Sequence, residues 1–209
     1  MLFRSTAAKL LRVRGNAMQN AVPVGQGAMA ALLGLDFEAA AEVAKDAAQG
    51  EVCQAANDNA PGQVVVSGHV APVARAVEIA KARGARRAVL LPVSAPFHCS
   101  LMGPAAEAMS EALNNADIKA PVVPLVANVL AAPITDPVDI RDRLVEQVTG
   151  TVRWRESISW LAGEGVDTFV EVGTGKVLTG MVKRIAKETS GMAVNSPDDI
   201  DAVIEKLSS

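Results

Sequence analysis

The sequence predicts an α/β protein made of one small β-α-β-β-α-β unit and part of a larger α/β domain. Three observations carry that reading. Between residues 25 and 94, short apolar runs alternate with two amphipathic helical stretches in the order β-α-β-β-α-β, the ferredoxin-like arrangement, which can fold as a unit of its own. After residue 95, single strands alternate with helices, the pattern of a parallel sheet flanked by helices. The segment before residue 25 is a helix already under way, with no strand or turn ahead of it.

The elements follow in order. "TAAKLLRVRGNAMQNAV" places Leu10, Leu11, Ala17, Met18 and Ala21 at helical spacing. "GQGAMAALLGL" reads as a strand, and "DFEAAAEVAKDAAQG" as a helix with Asp36 as N-cap and Gly50 closing it. "EVCQAAND" and "GQVVVSG" are two strands joined through the turn-rich "NAPG". "VAPVARAVEIAKARG" is a second amphipathic helix ending at Gly84, and "RRAVLLPVS" the last strand of this unit. Beyond it, "MGPAAEAMSEALNNA" is a helix, "PVVPLVANV" a strand, and "PVDIRDRLVEQVTG" and "VRWRESISWLAGEG" are helices. "DTFVEVG" is a short buried strand, and "KVLTGMVKRIAKE" and "PDDIDAVIEKLSS" close the chain as helices. The expected division is a small subdomain over 25–94 and a larger domain over 1–24 and 95–209. Three or so strands are too few to make a covered parallel sheet, so the larger domain is expected to begin upstream of Met1 and to be incomplete.

Composition narrows the function classes. The 209 residues are half hydrophobic and one-fifth charged, which is globular rather than disordered. A net charge of -3 gives no reason to expect nucleic acid as a partner. Tyrosine is absent and the other aromatics are few, which argues against a base-stacking platform. Cys53 and Cys99 lie far apart without a CxxC, a usage that suits free thiols in a reducing cytosol. No apolar run approaches the roughly 18 residues that span a bilayer, and the N-terminal stretch lacks the apolar core of a signal peptide. A cytoplasmic protein without membrane attachment is expected.

Several residues are candidates for chemistry. His98, in "PVSAPFHCSLM", lies just past the carboxyl end of a predicted strand, where open α/β sheets place their ligands. A loop histidine bonded only to backbone fits the same position. Arg14 falls three and four residues from Leu11, Leu10, Ala17 and Met18, hence on the apolar stripe of its helix, while Arg12 faces solvent. A buried arginine costs several kcal/mol unless paired. It therefore meets a distant carboxylate, snorkels to the surface, or receives a substrate carboxylate in a bidentate pair. Gln147 lies in the last turn of its helix, where a free backbone carbonyl can accept a bond from an imidazole N–H.

Other patterns fail their tests. In "EVGTGKVLTG" a P-loop would need Gly at Val170 and Ser or Thr at Val177, and a dinucleotide fingerprint would need Gly at Leu178. No zinc-site spacing is present. No serine sits in a GxSxG elbow; Ser67 comes nearest, with Val65 in place of the first glycine. Cys99 adjoins His98 in sequence and is a poor candidate nucleophile. The chain holds a base without a nucleophile.

Taken together, "RGNAMQNAVPVGQGAMAALLGL", "NDNAPGQVVVSGH", "LLPVSAPFHCSLM", "LVEQVTGTVRW" and "EVGTGKVLTGMVKRI" resemble, in that order, the malonyl-CoA:acyl-carrier-protein transacylases of fatty-acid synthesis. The resemblance implies an α/β-hydrolase-like large domain with an inserted ferredoxin-like subdomain. It implies that His98 is the general base, that Arg14 binds the free malonyl carboxylate, and that the backbone carbonyl of Gln147 orients His98 in place of a triad carboxylate. It implies further that Asn59, Gln63 and Arg87 line the thioester or coenzyme A side, and that Phe97 leaves little room for an α-methyl branch. Malonyl-CoA and acyl carrier protein would be the partners, with no cofactor and no metal. The family's GHSxG serine and an oxyanion-hole glutamine are not in this sequence, so the polypeptide as it stands is expected to be inactive in transfer. The alternatives are a non-catalytic fragment that binds acyl carrier protein or coenzyme A, and a thioester hydrolase of the same fold.

Overall fold

The computed structural model describes residues 4–208, so the start of the "MLFRS" stretch and Ser209 lie outside the described residues. The chain divides into two compact units, residues 1–154 and 155–209.

In the first unit, β1 (Gly27–Leu33), β2 (Cys53–Ala60), β3 (Gln63–His69) and β4 (Arg87–Leu90) form one four-stranded sheet in the order β2-β3-β1-β4. Every pairing is antiparallel: Gly27 faces His69, Leu33 faces both Gln63 and Arg87, and Cys53 faces Gly68. Two helices, α2 (Phe37–Ala48) and α3 (Val70–Ala82), connect the strands. Asp36 caps α2 through a 2.8 Å bond from the Ala39 N–H, the role its position predicts. Alternation in the strands gives the sheet two apolar faces. Ala30, Leu32, Val64 and Val66 point to one face and pack against Ala40, Val43, Val73 and Ala76 of the helices. Each fully buried Leu or Val there contributes about 1.5–3 kcal/mol. Met29, Ala56 and Val65 point to the other face and meet Leu91 and Phe97.

The same unit contains a second core between α1 (Arg4–Asn20), α4 (Gly103–Asn114) and α5 (Pro137–Thr149), built on Met18, Met102, Met109, Leu113, Ile140 and Val148. A hairpin of β5 (Leu125–Ala127) and β6 (Ala132–Ile134) leads into α5. The edge of β2 is closed by residues 151–152: Asp58 N–H donates to Val152 O, and Val152 N–H to Ala56 O, each at 2.8 Å.

In the second unit, α6 (Trp154–Gly163) precedes β7 (Thr168–Val172), α7 (Val177–Ile185), β8 (Ser190–Val194) and α8 (Ile200–Ser208). β7 and β8 pair in parallel. Glu171 accepts from the N–H groups of Leu178 and Thr179 and from the Thr179 hydroxyl, fixing the turn into α7. "EVGTGK" thus forms a tight strand-to-helix turn.

Four expectations need correction. The strand read over "PVVPLVANV" shrinks to Leu125–Ala127, because Pro121 and Pro124 have no N–H to give a ladder. The strand β8 was not expected; "SGMAV" carries only one β-branched residue, and its pairing with β7 is what makes it a strand. The helix over "VRWRESISWLAGEG" starts at Trp154, since Val152 is held in a bridge to Asn57. Leu11 is not part of the inward stripe of α1: it is 68% exposed, while Leu10 and Ala17 pack on the second core.

Candidate active site

His98 owes its position to two anchors. The chain leaves β4 with Leu91 N–H bonded to Met29 O at 2.8 Å, then crosses the end of β1. Gly27 makes that crossing possible: a Cβ there would lie 2.3 Å from Cδ and Cγ of Pro96. On the far side, Ser100 N–H donates to Gln54 Oε1 at 2.7 Å, tying the segment to β2. Between the anchors, Phe97 is half-buried against both the sheet and the helical core. His98 itself takes φ 56°, a left-handed backbone for a non-glycine residue. Such conformations cost about 1–3 kcal/mol and persist where the surroundings impose them.

The His98 side chain is half-buried, with Nδ1 at 3.1 Å from the backbone oxygen of Gln147. A carbonyl only accepts, so Nδ1 carries the proton and Nε2 of the neutral ring is left with its lone pair. Burial lowers the His98 pKa below its ordinary value, and the nearby Arg14 charge lowers it further, against the opposing pull of the Gln147 and Gly150 carbonyls. The imidazole is thereby kept neutral near pH 7, the state a general base requires.

Arg14 projects from the inward side of α1 and is half-buried, whereas Arg12 is exposed. Among the described residues no carboxylate pairs with Arg14. Burial pulls its pKa down, as expected for a cation deprived of water. Arg14 and Gln147 line the same cavity of about 370 Å³, whose walls are otherwise Ala7, Leu10, Leu11, Met109, Leu113 and Leu144. A guanidinium in an apolar wall can receive a carboxylate in a bidentate pair. His98 lines a different, more polar cavity of about 540 Å³ with Gln54, Ser100, Thr149 and Thr151.

The remaining candidates are apart from these. Gln63 and Arg87 both flank Leu33, at the end of β1 opposite Gly27, and Asn59 sits near the same end on β2. Six residue-to-residue steps of strand separate the two ends, about 20 Å. Cys99 is fully buried, its thiol donates to Pro96 O at 3.2 Å, and burial raises its pKa, so it is inert. Among the described residues no cluster of His, Cys, Asp and Glu could hold a metal ion, and no helix is long and apolar enough to cross a membrane.

One participant went unseen in the sequence. Asn128, just after β5, donates through Nδ2 to Gln147 Oε1 at 2.6 Å. An asparagine in a turn carries no residue-level sign of reaching a helix end nineteen positions away.

The chain matches a family model described as an acyl transferase domain over residues 2–198. It is 47% identical over 202 residues to a malonyl CoA-acyl carrier protein transacylase of Bacillus subtilis, covering 96% of this chain and 64% of that protein. The protein of the same description from Escherichia coli is 46% identical over 199 residues, again covering 64% of its length. The chain thus spans about 64% of the length of the curated relatives it matches. Among solved structures, an acyl-carrier-protein-S-malonyltransferase from Bartonella henselae aligns with TM-score 0.96 and 51% identity, over 100% of this chain and 66% of that one. A structure of a type II PKS acyl-carrier protein in complex with its malonyl-transacylase aligns with TM-score 0.92 and 40% identity, over 96% of this chain and 65% of that one.

Proposed function

This chain belongs to the acyl transferase domain family, and we propose that its site serves the transfer of a malonyl group from malonyl-CoA to the thiol of acyl carrier protein. One observation carries the reading: an imidazole held through Nδ1 by a helix-end carbonyl stands near Arg14, which pairs with no carboxylate among the described residues. A base with Nε2 free activates a hydroxyl, and an unpaired guanidinium selects an acyl group that bears a second carboxylate. The names of the relatives support the same substrate and the same acceptor.

His98 takes the proton of a serine hydroxyl through Nε2 as the oxygen attacks the thioester carbonyl carbon. Collapse of the tetrahedral intermediate breaks the C–S bond, and the proton returns from His98 to the departing coenzyme A thiolate. The carrier thiol then gives its proton to His98 and attacks the malonyl-serine ester, and His98 reprotonates the serine oxygen. Arg14 holds the malonyl carboxylate throughout, and the Gln147 carbonyl stabilises the imidazolium formed in each half-reaction. Phe97 narrows the space beside the α-carbon. Asn59, Gln63 and Arg87, at the distant end of the sheet, line the side taken by the extended coenzyme. Malonyl-CoA is a substrate, and the reaction uses no cofactor.

The stretch 25–94 is the small ferredoxin-like subdomain, and 1–24 with 95–209 belongs to an α/β-hydrolase-like domain, in a cytoplasmic enzyme. The 209-residue chain has no GxSxG serine. By itself it is inactive in transfer, since removing a nucleophile removes many orders of magnitude of rate. The test is to incubate a protein of the relatives' full length, carrying these residues, with labelled malonyl-CoA. A stable acyl-serine that passes its label to the carrier thiol supports the transferase. Rapid release of free malonate makes it a hydrolase, and no adduct at all leaves only a binding module.

A further inference from the structure

We propose that Asn128 is a positioning residue for His98, acting through the Gln147 side chain to hold the carbonyl that fixes the imidazole. This deepens the reading of His98 as general base and rests on it. The hydrogen-bond directions follow from one fixed point. The backbone oxygen of Gly150 only accepts, so the Gln147 side chain turns Nε2 towards it, at 3.1 Å. Oε1 of Gln147 therefore faces Asn128, and Asn128 presents Nδ2, at 2.6 Å. The backbone oxygen of the same Gln147 receives His98 Nδ1–H at 3.1 Å. One glutamine thus binds the histidine with its main chain and is gripped through both polar atoms of its side-chain amide.

The grip matters because the last turn of a helix is where backbone order is weakest. Asn128 is a rigid place from which to hold it. The turn after β5 is closed by bonds to Ala127 O from the N–H groups of Leu130, at 3.0 Å, and Ala131, at 2.8 Å. Arg153 clamps it from outside, donating to Leu130 O at 2.9 Å. The turn also sits hard against the helix end: a Cβ on Gly150 would fall 2.8 Å from Val129 Cγ2. Orienting Nδ2 at Gln147 leaves Asn128 Oδ1 buried with no hydrogen-bond partner among the described residues. An orphaned buried acceptor is costly, and a side chain chosen for stability alone would avoid it.

The test is nitrogen-15 NMR on the 209-residue chain, which has only two histidines, His69 and His98. Long-range proton–nitrogen correlation reports the imidazole tautomer, and His98→Gln assigns the signals. In the unmodified chain His98 is expected as the single Nδ1–H tautomer. Asn128→Leu removes the donor at similar volume, and Gln147→Met cuts the side-chain link while keeping the backbone carbonyl. Both are expected to shift His98 to a mixture of tautomers and to lower its titration midpoint, with the His69 tautomer unchanged. A merely structural role would move the melting temperature and leave the tautomer alone. The proposal is overturned when either variant folds and His98 keeps the pure Nδ1–H form. Should neither fold, the side-chain amide of Asn128 in the unmodified chain decides: slow solvent exchange supports the clamp, and exchange at the rate of a free amide overturns it. None of these readouts involves malonyl transfer, so failure here and failure of the transferase reading are separate events.

Discussion

Replacing Gly27 with alanine sets two effects of opposite sign against each other. Gly27 is not among the glycines with positive φ, so an alanine fits its backbone and, by reducing the freedom of the unfolded chain, would stabilise by about 0.4–1 kcal/mol. Against that, the new methyl would lie 2.3 Å from two ring carbons of Pro96 and 2.9 Å from a third. Carbon atoms rest at about 3.5–4.0 Å, so one group must yield by more than about 1 Å. Pro96 cannot rotate away, because its ring is closed and it is among the fully buried side chains. Overpacking of this kind costs about 1–3 kcal/mol, and the rigidity of both partners puts the expected value in the upper half. The net expectation is a loss of about 1–2 kcal/mol, read as a lower midpoint of urea unfolding at unchanged slope. Because Pro96 leads directly into Phe97 and His98, the His98 imidazole resonances should move as well. An unchanged or raised midpoint, with His98 unmoved, would refute the claim that this crossing sets the histidine.

Two further outcomes follow from the same site. Arg14→Met should stabilise the chain by about 1 kcal/mol, since it replaces a half-buried cation without a counter-charge by an apolar chain of similar reach; a clear loss in urea unfolding would show an unseen partner. His98 has a folded pKa below its unfolded value, so the unfolded state binds more protons as the pH falls below about 6.5. Its contribution is present in full above that pH and is lost towards the folded pKa. His98→Gln should flatten the stability profile below about pH 6.5, measured by urea unfolding across the range, and an unaltered slope would contradict the burial of the neutral ring.

How much of this was legible in the residues depends on what each element needs. The β-α-β-β-α-β order along the chain was readable because Gly, Pro and Asp punctuate apolar runs whose period matches the sheet, whereas the spatial order β2-β3-β1-β4 is set by the pairing. Arg14 was readable because helical spacing alone turns it inward. The Gln147 carbonyl was only a possibility, since a backbone group leaves no trace in residue identity. β8 was invisible because its strand character comes from β7 beside it, and Asn128 because its partner is brought near only by the hairpin. Asn59, Gln63 and Arg87 were named together by resemblance alone; the register puts Gln63 and Arg87 opposite Leu33.

The most direct measurement on the central claim is calorimetric titration of the 209-residue chain with malonyl-CoA and with acetyl-CoA, repeated on Arg14→Met. The two ligands differ by one carboxylate, and a charge-assisted hydrogen bond contributes about 1.5–3 kcal/mol. The expected result is binding of malonyl-CoA roughly tenfold to a hundredfold tighter than acetyl-CoA, with the preference abolished in Arg14→Met. Equal binding of the two thioesters by the unmodified chain would contradict the assignment of Arg14 as the receptor of the malonyl carboxylate.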